Sequence, residues 1–323
     1  GGAQTIKNVV PFMESYGPLR DLTSFTNALD SACLGAVSAT TGDGTVFNFA
    51  GDAGKLYSLS GATYGNVSKA GNYTGVTNWE FERFGDRIVA TSLATTPQYF
   101  DMGTSSLVAD LPGSPPVAAR VGVIRGFLVL GDIENNPSRL VWSGHENTEV
   151  WTASRASQSD QRDLRGQGGR IHKILSGQYG VLFQENSIWV MTYAGPPTIF
   201  TLDEVEKGRG TPTGNSVCRV GNRIFYLSHD GFYSFGEGSE PIGSEKVDRW
   251  FFSQAGALDS VRGVVDRVNK LVLWGFQSTS GLAYNDLLVI FNWSTGRWTY
   301  GEVNTELLLD NSTTGYDLDT IDT

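Results

Sequence analysis

Three adjacent residues, Ser228, His229 and Asp230, are the residue types of a hydrolytic catalytic triad. A triad needs its three side chains to converge on one point, whereas neighbouring side chains on a strand point to opposite faces. Asp230 is followed by Gly231, a dipeptide typical of tight hairpin turns. We therefore interpret this stretch as a turn and predict no catalytic role for it.

Paired carboxylates are a second arrangement that could do chemistry, because glycoside hydrolysis uses one carboxyl as acid and another as nucleophile or base. Asp203, Glu204 and Glu206 lie in one polar run, for which a solvated face is the usual explanation. A glycan-binding or glycan-cleaving protein remains the alternative hypothesis for function. It predicts a central pocket lined by carboxylates and aromatic side chains.

Two glycine-containing motifs are further candidates for binding sites. Residues 294–298 (STGRW) resemble the end of the aspartate-box turn of sialidases, which is structural, and they lack the aspartate. Residues 166–169 (GQGG) follow no predicted strand and precede no predicted helix, so they make a poor phosphate cradle. Neither motif predicts a ligand site.

The longest irregular polar segment spans residues 152–170, and we interpret it as an insertion between repeats. Long loops on a rigid scaffold often carry contacts, although a solvated loop is an equal alternative. Two aspartates in the segment would cancel much of the field needed to hold phosphates. Its four arginines are the candidate partner-contact residues: Arg155, Arg162, Arg165 and Arg170.

Composition restricts the function further. The 323 residues carry a formal net charge of −10, which argues against a general nucleic-acid binder with a basic face. The two cysteines, Cys33 and Cys218, adjoin apolar residues and are expected to be buried thiols, with a disulfide between them as the alternative. No Cys/His spacing is typical of a metal site, and no apolar run is long enough to span a bilayer. We predict no cofactor, no metal and no membrane partner.

Along most of the chain, a short β-hairpin pattern recurs six times. A turn rich in Gly, Asn or Asp precedes an apolar strand, and a second apolar strand follows; the clearest copy is residues 220–227 (VGNRIFYL). The turns are about 40 to 54 residues apart, the repeat length of propeller blades. A more polar further strand can be drawn after several copies, so each repeat predicts three to four antiparallel strands.

This repeat predicts an all-β fold, a six-bladed β-propeller, because sheets stacked radially bury both faces and leave only short edges. A seven-bladed propeller or a multi-sheet β-sandwich is the alternative. The more continuously apolar first strand of each hairpin is expected in an inner position. We predict an N-terminal arm at residues 1–32, the propeller at 33–303 and an acidic tail at 304–323. Residues 21–34 are read as either a capped helix or a loop.

The order and spacing of these strand-and-turn motifs resemble the tail-hub and packaged-DNA stabilisation proteins of short-tailed bacteriophages and prophages. The resemblance covers most of residues 8–300. It rests on these segments: residues 8–11 (NVVP), 16–19 (YGPL), 84–91 (FGDRIVAT), 97–101 (PQYFD), 137–143 (PSRLVWS) with Trp151, 182–189 (LFQENSIW), 228–233 (SHDGFY) and 291–298 (FNWSTGRW).

The resemblance implies a non-enzymatic virion protein of the phage tail, made in the bacterial host cytoplasm. Such proteins form a ring, usually of six copies, below the portal and head-completion proteins. The implied partners are the protein itself, the adjacent portal or adaptor and tail proteins or fibres, and packaged DNA that passes through the lumen without sequence-specific binding. The family supplies no catalytic residues, and its members are often longer at the C-terminus.

Overall fold

The computed structural model describes residues 7–20 and 23–311, and the predicted acidic tail lies largely outside them. Strands of the described residues form six four-stranded antiparallel sheets, each with its strands in sequence order. The protein is a six-bladed β-propeller, which confirms the fold predicted from the repeat. Each blade has four strands because a polar outer strand completes every copy. Within these residues no helix is long and apolar enough to cross a bilayer.

An N-terminal hairpin of β1 (Val9–Pro11) and β2 (Tyr16–Pro18) precedes the blades. The strands of the first three blades are as follows: β3 (Gly35–Thr40), β4 (Val46–Gly51), β5 (Leu56–Ser60) and β6 (Thr63–Asn66) in blade 1; β7 (Glu80–Phe84), β8 (Arg87–Ser92), β9 (Thr95–Asp101) and β10 (Ala109–Asp110) in blade 2; β11 (Ala118–Ile124), β12 (Phe127–Ile133), β13 (Asn136–Trp142) and β14 (Asp160–Asp163) in blade 3.

The remaining three blades follow the same plan. Their strands are β15 (Ile171–Leu175), β16 (Tyr179–Gln184), β17 (Ser187–Gly195) and β18 (Ile199–Lys207) in blade 4; β19 (Cys218–Val220), β20 (Arg223–Leu227), β21 (Phe232–Phe235) and β22 (Ser239–Pro241) in blade 5; β23 (Arg262–Asp266), β24 (Leu271–Phe276), β25 (Asn285–Asn292) and β26 (Arg297–Thr305) in blade 6. A short helix, α1 (Asp248–Gln254), lies between blades 5 and 6.

The chain forms two compact units. One contains blades 1 and 2 and most of blade 3, and the other contains the N-terminal hairpin, blades 4 to 6 and part of the outer edge of blade 3. Within the first unit, β3, β7 and β11 lie side by side, so the first strand of each blade has the inner position. Glu80 on β7 and Arg120 on β11 form a buried ion pair there, with 3.0 Å between Oε2 and Nη1.

The sequence analysis expected the apolar first strand of each hairpin in the inner position, and this expectation is wrong. The apolar strand after each predicted turn is the second strand of its blade, and Gly85 and Gly221 supply the positive φ of +58° that two of these turns need. The second strand is largely buried in every blade; in blade 3, all seven residues of β12 are buried. It lies inside the sheet with a strand on either side and side chains packed above and below, which explains its continuous apolar sequence.

Tryptophan side chains hold neighbouring blades together. Trp79, just before β7, donates its indole N–H to the Asp52 carbonyl of blade 1 at 2.9 Å. Two glycines of blade 1 make room for it: a methyl group on Gly51 would lie 2.4 Å from Trp79 Cδ1, and one on Gly35 2.3 Å from the Trp79 carbonyl oxygen. Close packing of this kind fixes the blade spacing.

The connection from the hairpin to blade 1 settles the ambiguous segment at residues 21–34. Its described part, residues 23–34, contains no helix. The Ser31 N–H donates to the Asp52 carboxylate, and Asn27 exchanges hydrogen bonds with Tyr64. Ser31 and Asn27 thus form hydrogen bonds with blade 1 and not within a helix, so the loop alternative is correct.

Candidate functional site

The sequence suggested that residues 152–170 are an insertion between blades, and the structure shows that this is wrong. The segment contains β14, the outer strand of blade 3, which pairs with β13. The Leu164 N–H donates to the Ser138 carbonyl at 2.9 Å, and Arg139 binds Asp163 with two hydrogen bonds of 2.6 and 3.0 Å. Because β14 reads Asp-Gln-Arg-Asp, it has no apolar alternation by which a strand could be recognised.

The four candidate arginines are all exposed at their positions in this segment. Arg162 lies on β14, and Arg155 lies in the loop before it. These two belong to one compact unit, whereas Arg165 and Arg170, between β14 and β15, belong to the other. Exposure makes each available to a partner, and their role in partner contact stays a prediction.

The run of carboxylates lies on β18, where the sequence favoured a solvated face. Asp203 is exposed, and Glu204 and Glu206 are half-buried on the opposite side of the strand. Glu204 is 3.3 Å from Lys207, and Glu206 is 3.2 Å from Arg209. Each of these two glutamates thus has a cationic neighbour near its own strand.

The residues of the triad type form the predicted turn between β20 and β21. The Ser228 N–H donates to the Gly231 carbonyl at 2.8 Å, which closes the hairpin. The Asp230 carboxylate accepts a hydrogen bond from the Tyr233 hydroxyl at 2.8 Å. Asp248, at the start of α1, accepts the Phe232 N–H, and burial raises the pKa of that carboxyl. These contacts stabilise a turn.

The best-built surface feature is the N-terminal hairpin seated on the outer edge of blade 6. We call residues 7–19 together with β26 the arm clasp. The Asn8 N–H donates to the Tyr300 carbonyl at 2.8 Å, and the Asn8 side-chain oxygen accepts the Glu302 N–H at 2.8 Å. The Thr299 hydroxyl donates to the Val9 carbonyl, also at 2.8 Å. The arm thus lies along the outer edge of blade 6, where an isolated parallel bridge joins Lys7 to Tyr300.

Apolar contacts and charge complete the arm clasp. Val10 and Leu19 pack against a buried cluster of Leu271, Leu288 and Ile290. Gly301 permits this approach, since an added methyl group there would lie 2.9 Å from Leu19 Cδ2. An exposed ion pair of 2.7 Å joins Lys7 to Glu302, and it raises the lysine pKa and lowers the glutamate pKa.

Asn292 caps the turn that resembles the aspartate box. Its side-chain oxygen accepts the N–H groups of Ser294 and Thr295, as an aspartate would. Its amide nitrogen donates to the Pro11 carbonyl at 2.8 Å, which a carboxylate cannot do. The amide therefore caps the turn and holds the arm with one side chain.

An acid-lined cleft of about 470 Å³ lies between blades 2 and 3 within the first compact unit. Arg87 is its central group and binds Asp101 through two hydrogen bonds of 2.6 and 3.0 Å, Thr148 at 2.8 Å and Glu149 at 3.0 Å. The Asp101 hydrogen bonds, with help from Glu149, raise the arginine pKa. Asp86 and Glu146 complete the acidic lining.

The cysteines are free thiols. Cys218 is buried, as expected, and burial raises its pKa to about 12, so its reactive thiolate form is strongly disfavoured. Cys33 is half-buried and so less enclosed than expected. Across residues 7–20 and 23–311, no group of three or more His, Cys, Asp or Glu side chains could hold a metal ion.

No family model matches the chain, and no curated protein matches it in sequence. Its fold is similar to the extracellular domain of a protein described as a hybrid two-component system from B. thetaiotaomicron (TM-score 0.58, 10% identity, covering 86% of this chain and 34% of that one). It is also similar to a quinonprotein alcohol dehydrogenase-like protein from Bacteroides thetaiotaomicron (0.50, 11%, 83% and 66%). The chain thus spans about a third of the first structure and about two thirds of the second. At these identities the likeness shows the fold alone.

Proposed function

We propose that this chain is a non-enzymatic structural protein of a phage tail, of the tail-hub or nozzle type. The observation that supports it most is the arm clasp. The first and last motifs of the phage resemblance, residues 8–19 and 291–298, are far apart in sequence but form one interlocked structure. Each motif alone is weakly specific, but two motifs whose residues contact each other support the resemblance more strongly.

In this proposal the propeller is a rigid block of a ring, with six copies, between the portal or adaptor and the distal tail proteins or fibres. The ring continues the channel for DNA ejection. The net charge of −10 suits that role, because like charge discourages phosphates from adhering while DNA passes. The four exposed arginines are candidate contacts to neighbouring tail proteins. The protein is then made in the bacterial host cytoplasm and located in the virion.

Electron microscopy tests the proposal. We expect the purified protein, at high concentration or mixed with particles that lack it, to form rings. We expect an antibody against it to label the head-to-tail junction of complete virions. A protein that is strictly monomeric and absent from particles would overturn the proposal.

A glycan-binding or glycan-cleaving function is the second candidate, and the acid-lined cleft favours it. Asp101 and Glu149 are engaged by Arg87, and Asp86 accepts the Gly42 N–H at 3.0 Å, so Glu146 is the carboxylate best placed to meet a sugar. A glycan array would test this function directly. Binding that disappears in Glu146→Gln and survives in the matched surface variant Glu240→Gln would support it, and an array without binding would remove it.

A further inference from the structure

We propose that the outer edge of blade 4 is a docking site for an extended segment of another protein, added to β18 as a fifth strand. The proposal concerns a surface that the phage-tail function does not require. It rests on a comparison of the six outer strands, on the way this chain covers one of them, and on the side chains that β18 presents.

Exposed sheet edges invite pairing with other chains, and natural proteins keep them short or cover them. Four of the six outer strands, β6, β10, β14 and β22, have only two to four residues. The two long ones, β18 and β26, have nine residues each. The arm covers β26, whereas no strand of the described residues pairs with the outer side of β18.

The arm shows how such an edge is occupied. On β26 the arm donates the Asn8 main-chain N–H to the Tyr300 carbonyl and accepts the Glu302 N–H on the Asn8 side chain, and it places Lys7 beside the acidic Glu302. Main-chain bonds supply affinity in strand addition, and alternate side chains supply specificity. An occupant of β18 should follow the same plan.

Five residues of β18, Phe200 to Glu204, form a regular ladder with β17, between a register shift at Ile199 and a bulge at Val205. Thr201 and Asp203 are the exposed side chains of this stretch. Asp203 makes no ion pair with any described residue, in contrast to Glu204 and Glu206, which have cationic neighbours. Cross-strand pairs favour opposite charges and β-branched neighbours.

These side chains specify the occupant. It is an extended segment with a lysine or arginine opposite Asp203, flanked by threonine or valine. Two features oppose pairing with unrelated strands. The bulge at Val205 limits the length of the ladder, and the charge of Asp203 repels acidic strands. A partner of complementary charge is selected by the same features that exclude others.

The test uses a fluorescein-labelled peptide of sequence Thr-Val-Thr-Lys-Thr-Val-Thr and the full chain, with binding followed by fluorescence anisotropy. Three changes separate strand addition from plain charge attraction. A peptide with glutamate in place of lysine reverses the charge. A peptide that is N-methylated at alternate residues lacks main-chain donors on one of its two edges. A second peptide, N-methylated at the other residues, lacks the donors on the opposite edge. Asp203→Lys changes the protein edge itself.

We expect the lysine peptide to bind, Asp203→Lys to weaken binding about fivefold, and one of the two N-methylated peptides to lose about tenfold or more. Glu240→Lys, on the exposed outer strand of blade 5, adds the same charge elsewhere and should leave binding unchanged. The proposal is overturned if the lysine peptide fails to bind at about 1 mM, if both N-methylated peptides bind as well as the parent, or if Glu240→Lys weakens binding as much as Asp203→Lys.

Discussion

At the scale of single residues, polar side chains with several simultaneous hydrogen bonds fix the turns of this protein. Asp52 is 1% exposed and accepts hydrogen bonds from the Gly54, Lys55 and Ser31 N–H groups and from the Tyr57 hydroxyl. Asn292 is 2% exposed and uses both ends of its amide. The sequence alone does not show how many partners each of these residues has.

Asn292→Asp should release the arm while it keeps the turn. The carboxylate can still accept from Ser294 and Thr295, but it cannot donate to Pro11 and would face that carbonyl oxygen. Hydrogen exchange measured by mass spectrometry should show faster exchange in residues 7–19 and unchanged exchange in residues 293–296. Thr299→Val, which removes a different side-chain donor to the arm, is the matched control and should have a smaller effect. Unchanged exchange of the arm in Asn292→Asp would contradict the assignment.

Asp52→Asn should destabilise the protein by about 3 kcal/mol near neutral pH, because an amide nitrogen would meet N–H and O–H donors in a buried site. Burial alone would raise the pKa of Asp52, but its hydrogen bonds prevail and lower it. A lowered folded-state pKa adds stability above the unfolded pKa of about 4, and that stability is lost as pH falls through the folded value.

Urea unfolding at a series of pH values measures this effect. The difference in free energy of unfolding between wild type and Asp52→Asn should be constant above about pH 5 and shrink below about pH 4. Asp43 is an instructive control, since its pKa is also lowered but its carboxylate is exposed; Asp43→Asn should change stability far less. A difference for Asp52→Asn that does not depend on pH would show that the ionised form is not what stabilises the turn.

At the scale of elements, the length of an outer strand depends on whether another segment covers its exposed edge. Outer strands stay short wherever nothing covers them, with β18 as the exception, and β26 reaches nine residues under the arm. The sequence identified the second and third strands of every blade, because both are apolar. It missed β14, whose polar residues carry no periodic signal, and it read the short polar stretch before β15 as part of an insertion.

Leu19→Ala should lower the stability of the arm clasp, since Leu19 packs on the buried cluster of blade 6. Loss of a partly buried leucine side chain should cost about 2 kcal/mol in the free energy of unfolding. Lys7→Ala is the comparison, because the exposed Lys7–Glu302 pair should contribute nothing measurable. Thermal unfolding of both variants provides the measurement. An equal loss in the two variants would mean that charge, and not apolar packing, seats the arm.

At the scale of the whole molecule, six copies of one four-stranded sheet form a propeller whose charge is strongly acidic. The same fold serves proteins with unrelated roles, so the phage-tail proposal depends on the arm clasp and the order of motifs, and not on the propeller itself. Whether the protein forms rings, which electron microscopy would measure, is the property of the whole molecule that decides between this proposal and the glycan alternative.

The sequence by itself determined the fold class, the number of blades and the turns, because a repeated alternation of apolar strands and glycine-rich turns has few ways to bury its surface. It also interpreted Ser228, His229 and Asp230 correctly as a turn. Only the tertiary structure decided that Asn292 joins the turn to Pro11, that Asp203 is left without an ion pair among the described residues, and that the inner strand is the first of each blade. These features depend on contacts between segments far apart in the chain, which no local pattern records.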